Sequence, residues 1–196
     1  MKRIISAVVL LSGIGAFSQE AFQGESNNKE RFQIGIQYNP IVSKNNFITD
    51  SFTGVAGLNV RYNIISAGII DFNVGLNVSL LTADENEFSD MYIWNPNVVA
   101  EFNVFDFGLK PYLGVGYNFA KTTFDETVYD GYDPAAPMTI RSTDLKYDGW
   151  NINPGLRYYF KKLVFVDAGY NYTHLSNDFG GVEHVHTVNV GAGVRF

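Results

Sequence analysis

The sequence predicts an all-β protein, an eight-stranded antiparallel up-and-down transmembrane β-barrel. Three observations lead there. Eight segments alternate apolar with small or polar residues at a period of two, as strands with two unlike faces do. The connections between them are alternately short and long. No run of eighteen apolar residues follows the N-terminal segment, so any crossing of a bilayer must be made by strands.

The clearest segment is Val185 to Phe196, VHTVNVGAGVRF. His186, Val188, Val190, Ala192, Val194 and Phe196 share one parity, and Val185, Thr187, Asn189, Gly191, Gly193 and Arg195 the other. One face is mostly apolar, the opposite one small and polar.

From the N-terminus, Lys2 and Arg3, the apolar stretch Ile4 to Phe17 and the small-x-small site Ala16-Phe17-Ser18 predict a secretory signal peptide over residues 1–18. The polar, aperiodic residues 19–30 read as a periplasmic lead-in, and residues 31–196 as the barrel. The first strand is Arg31 to Asn39, with Phe32, Ile34, Ile36 and Tyr38 against Gln33, Gly35 and Gln37. A loop of roughly a dozen residues precedes the second strand, Gly54 to Asn63. A Ser66-Ala67-Gly68 turn leads to the third, where Ile70 to Leu80 alternate with Asp71, Asn73, Gly75, Asn77 and Ser79. The acidic loop Thr82 to Met91 comes next. The fourth strand runs from Trp94 to Val104 and contains Pro96, which cannot donate to a ladder and belongs at an edge or bulge.

After the Asp106-Phe107-Gly108 turn, the fifth strand runs from Pro111 to Phe119. Ala120 to Tyr147, with Asp125, Glu126, Asp130, Asp133 and Asp144, is predicted as the longest loop. The sixth strand, Trp150 to Phe160, turns at Lys161-Lys162 into the seventh, Val164 to Thr173. A loop from His174 to Glu183 returns to the terminal strand. With the N-terminus in the periplasm, every long loop lies on the cell exterior.

Side-chain volume decides which face looks outward. An eight-stranded interior is only just wide enough for its side chains. One face supplies five or six bulky residues per strand and the other is Asn and Gly, so the bulky face must meet lipid. A soluble, lipocalin-like barrel would reverse the two. The aromatic fraction of 15% fits girdles at the two interfaces: Tyr38, Trp94, Tyr117, Trp150 and Tyr172 at outer strand ends, Tyr62, Phe72, Phe102, Tyr158 and Phe196 at inner ends. Parity sends Arg61, Asp71, Glu101, Lys110, Arg157, Asp167 and Arg195 inward, four basic and three acidic residues that can form a lumen ionic network. The structural consequence is an ionic plug; the functional alternative is a gated ion path.

Composition excludes several classes. There is no cysteine, hence no disulfide framework, thiolate site or cysteine nucleophile. Loss of Lys2 and Arg3 with the signal leaves 12 basic against 20 acidic residues, moving the formal charge from −6 to −8 and arguing against nucleic acid as a partner. No cofactor and no metal site is predicted. His184 and His186 share one strand and His174 sits far off in sequence.

Signal peptide, eight amphipathic strands, short inner turns, long outer loops and the terminal Gly191-x-Gly193-x-x-Phe196 together resemble the small bacterial outer-membrane β-barrel proteins, the OmpX-like and OmpA transmembrane-domain-like superfamily. The resemblance covers Arg31 to Phe196 and lies nearer the stand-alone OmpX-like barrels. It implies the outer membrane of a Gram-negative bacterium, a monomer, outer-membrane lipid and lipopolysaccharide as surroundings, and the barrel insertion machinery as a partner. That machinery would read Phe196, Val194, Gly193 and Gly191 as its signal. It does not fix an activity, because the superfamily holds structural, adhesive, transport and enzymatic members.

The main expectation is a structural or surface-interaction protein with a filled polar lumen and long acidic extracellular loops. The enzymatic alternative rests on His174-Leu175-Ser176-Asn177, which is similar to the His-x-Ser-Asn motif of outer-membrane lipid A deacylases. Residues two apart on a strand lie roughly 7 Å apart on one face. His174 would be the base, Ser176 the nucleophile of a lipid A ester hydrolase, and Glu183 the nearest acid, although its parity points inward. A narrow-pore porin is the third expectation.

Overall fold

Each alternating segment folds as a strand, and the strands close on themselves in chain order. In the computed structural model, which describes residues 31–43, 47–84, 88–129, 138–160, 163–178 and 180–196, they are β1 (Phe32–Tyr38), β2 (Phe52–Ala67), β3 (Ile70–Ala83), β4 (Met91–Phe102), β5 (Leu109–Tyr129), β6 (Met138–Phe160), β7 (Val164–Asn177) and β8 (Val182–Arg195). All neighbours are antiparallel, and β1 pairs with β8 to seal the barrel. Phe32 and Phe196 exchange backbone hydrogen bonds of 2.8 and 2.9 Å at the seam. The predicted signal peptide and lead-in, and the turn residues Lys161 and Lys162, lie outside the described residues.

Exposure settles the orientation of the wall. Leu76, Val98 and Leu156 are 36%, 48% and 50% exposed, whereas Asn97 and Arg157 are 8% and 0% exposed. The apolar row covers the outside of the cylinder and the asparagines fill its bore, the arrangement that a lipid surround stabilises and water does not. No described helix is long and apolar enough to cross a membrane.

The turns at the inner end are tight. Gly68 and Gly108 adopt φ of +61° and +87° in the β2–β3 and β4–β5 turns, a region where a Cβ is strained. Bulges after Gly54 and Asn63 let two consecutive residues of β2 face outward, so Ile64 and Ile65 are both exposed. Pro96 pairs with Leu76 on β3 but falls between Trp94↔Phe119 and Asn97↔Gly116 on the β5 side, where the ladder skips and no donor is needed.

Three outer connections differ from expectation. The predicted loop Ala120 to Tyr147 is mostly strand: β5 and β6 stay paired out to Tyr129↔Met138, with Asp130 and Asp133 outside the described residues. The predicted loop His174 to Glu183 is shorter, because β7 continues to Asn177 and β8 begins at Val182. The β1–β2 connection holds a short helix, α1 (Phe47–Ser51), laid into the mouth of the barrel. All three segments leave the bilayer, so lipid imposes no apolar row on them.

Candidate functional site

The bore is filled in three layers, and the lowest is ionic. Arg157 is fully buried, with Nη1 3.1 Å from Glu101 Oε1 and Nη2 3.1 Å from Asp167 Oδ2, and it also donates to the Gln33 side-chain oxygen. Arg61 reaches the same Glu101 oxygen at 3.3 Å, and the Tyr159 hydroxyl donates to Glu101 Oε2 at 2.9 Å. Lys110 lies 3.0 Å from Asp71. Arg195 stands 5.3 Å over the Tyr159 ring.

Strand register makes this pattern necessary. Asp71 is directly opposite Glu101, and Lys110 directly opposite Arg157, so like charges face one another on adjacent strands. Asp71 and Glu101 therefore reach past a strand, to Lys110 on β5 and Arg157 on β6, while Arg157 also pairs with Asp167 directly opposite it on β7. Three luminal aromatics support them: Arg61 lies 4.9 Å over Tyr112, Arg157 4.1 Å over Phe165 and Lys110 5.1 Å over Tyr159. Tyr112, Tyr159 and Phe165 share the inward parity of their strands with Gly and Asn, and large rings at such positions were the available signal.

Above the ions lies a layer of asparagines. Asn95 donates to Asn118 and Asn151 at 2.8 and 2.7 Å, and Asn151 to Asn171 at 2.7 Å. Asn95, Asn118 and Asn171 line a cavity of about 50 Å³, room for a few waters.

The third layer closes the outer end. Ile48 from α1 packs with Phe52, Leu81, Met91, Tyr147, Leu175 and Val185 in a buried apolar cluster. This cap was missed, although Leu81, Met91, Leu175 and Val185 signal it as apolar residues on the polar parity. Glu183 sits at its edge, where burial pushes its carboxyl above the usual range and the Phe47 backbone N–H partly offsets that. Farther out, Lys121 holds the Asp144 carboxyl below its ordinary value through a 2.8 Å ion pair.

The predicted esterase residues do not converge. His174 points outward and stacks on Trp150, with ring centres 5.6 Å apart. The Ser176 hydroxyl donates to the Asp148 carbonyl at 3.2 Å. Glu183 pairs opposite the buried Leu175 and faces the bore, on the other side of the wall from both. At the seam, Val194 is flanked by Ile34 and Val164, while Gly191 and Gly193 face the bore, where a side chain at 193 would meet Phe165. Among the described residues, no group of three or more His, Asp or Glu is placed to hold a metal ion.

A family model described as outer membrane protein beta-barrel domain matches residues 9–196. No curated protein matches the chain in sequence. Similar solved structures include Ail, the attachment invasion locus protein of Yersinia pestis, at 17% identity and a TM-score of 0.56, covering 85% of this chain and 97% of that one. Neisserial surface protein A is 18% identical with a TM-score of 0.51, covering 84% and 94%. The N-terminal β-barrel domain of Pseudomonas aeruginosa OprF is 15% identical, also at 0.51, covering 86% and 98%. At these identities the likeness is one of fold.

Proposed function

The chain belongs to the outer membrane protein β-barrel domain family, and from that premise we propose that it is a surface-interaction protein, a sealed cylinder that carries a β-ribbon into the medium. The observation that carries this reading is the β5–β6 hairpin. Its strands are 21 and 23 residues long, more than a bilayer crossing of 9–11 residues requires. Beyond Lys121 and Lys146 the ribbon extends roughly 30 Å at the rise of an antiparallel strand.

Its neighbours stop early. Pairing with β4 ends at Tyr92↔Lys121, followed by the single bridge Phe88↔Phe124, and pairing with β7 ends at Tyr147↔Asn177. Among the described residues, both ribbon edges past these points present unpaired backbone groups. Such edges accept a strand from another chain. The partner is therefore an extracellular polypeptide met by strand addition, with the acidic residues of the outer connections setting which partners are repelled. Export by residues 1–18, residence in a Gram-negative outer membrane and reading of Phe196 by the insertion machinery belong to the same proposal.

The filled bore supports this reading over a porin, and the separation of Ser176, His174 and Glu183 supports it over a lipid A esterase. Cells displaying the intact protein would be compared with cells in which residues 123–144 are replaced by Asn-Gly, on surfaces coated with a panel of purified extracellular proteins. Trimming is expected to abolish attachment to at least one. Equal attachment to all of them, Ser176-dependent loss of a lipid A acyl chain by mass spectrometry, or steady single-channel conductance in planar bilayers overturns the proposal.

A further inference from the structure

All three histidines of the chain lie at the outer rim of one patch of wall, and the ribbon uses none of them. His174 and His184, ten residues apart in sequence, are cross-strand partners on β7 and β8, with ring centres 5.0 Å apart. His186 lies opposite Tyr172.

Aromatic neighbours brace the His174–His184 pair. Trp150 stacks on His174 at 5.6 Å with 21° between planes, and Tyr172 stacks on His184 at 5.9 Å and 22°. The Tyr172 hydroxyl is also 2.8 Å from His184 Nδ1. Cross-strand register sets this separation, as it does for Tyr172 and His186 at 5.1 Å; what sets the His174–His184 pair apart is that both opposed rings carry metal-ligating nitrogens.

That spacing suits a shared metal ion. An ion 2.0–2.1 Å from one nitrogen of each ring, with tetrahedral angles, places the two ring centres roughly 5 Å apart. We propose that His174 and His184 form a two-imidazole clamp for a divalent transition-metal ion, Zn²⁺, Cu²⁺ or Ni²⁺, on the outer rim of the wall. Imidazole donors select these ions over Ca²⁺ and Mg²⁺, which take oxygen ligands. With Nδ1 of His184 engaged by Tyr172, Nε2 is the coordinating atom, and the tyrosine oxygen fixes tautomer and ring angle as outer partners of metal-bound histidines do. The protein supplies two ligands; oxygen donors from the surrounding water complete the shell. His186 is outside the clamp, because the residue opposite it is Tyr172, which offers no imidazole and whose ring stands 70° to it.

The test is calorimetric titration of zinc chloride into the untagged full chain folded in detergent micelles. One saturable site per barrel is expected. His174→Gln and His184→Gln should each weaken it by at least about tenfold, and Tyr172→Phe by about tenfold. His186→Gln should leave it unchanged, and a large excess of magnesium chloride should not compete. Circular dichroism and the heat-dependent gel shift of each variant report that the barrel is intact. Absence of a saturable site in the unaltered protein, undiminished affinity in folded His174→Gln, loss of the site in His186→Gln alone, or displacement by magnesium overturns the proposal.

Discussion

A guanidinium removed from water needs its charge and its N–H groups answered together, and Arg157 draws those answers from three strands: Gln33 on β1, Glu101 on β4 and Asp167 on β7. Deleting one partner of such a set strands the others in a medium that cannot solvate them. Arg157→Met should therefore cost about 3–5 kcal/mol in urea unfolding from lipid vesicles followed by tryptophan fluorescence. Adding Asp167→Asn to it should recover a large part, since the stranded carboxylate goes too while Glu101 keeps Arg61; no recovery would mean the loss is one of packing against Phe165. Parity alone placed these groups in the bore. It could not say who pairs with whom, because Asp71 opposite Glu101 becomes visible only once β3 and β4 are in register. The same limit hid the histidine clamp, whose members meet only when the turn between β7 and β8 is known to be short.

Elements were legible where lipid acts on them. Ile70 to Leu80 alternate because one face meets hydrocarbon and the other a crowded bore, and the predicted strand matches the core of β3. The ribbon failed that test for a physical reason. Lys121, Thr123 and Asp125 face one way and Thr122 and Phe124 the other, with water available to the outer row, so no apolar period was written into it. The helix α1 is too short to show a 3.6-residue stripe; it is held by Ile48 dropping into the cap. Ile48→Ala should remove about 2–5 kcal/mol from the cap. Hydrogen exchange would show it as faster exchange at the amides of residues 47–52, with β3 and β6 inside the membrane still protected. Equal loss of protection throughout the barrel would mean that the cap and wall open as one unit.

Taken whole, the cylinder is closed at both ends by different chemistry, salt bridges below and packed hydrocarbon above, with a small polar chamber between. Its wall is uneven around the circumference. β1 is 7 residues long and β6 is 23, so the ladder joining β1 to β8 is brief while the one joining β5 to β6 is the longest. That inequality gives the molecule a built-in order of unzipping. Pulled from its C-terminus with an atomic-force tip, the protein should open the β1–β8 joint before the longer β7–β8 ladder, with the β5–β6 hairpin as the largest single rupture; a reversed order of peaks would show that side-chain locks inside the bore, not strand length, govern how the wall tears. In the reverse direction, the short joint is the last stitch, and an inserting chain would stay ajar there until β8 arrives.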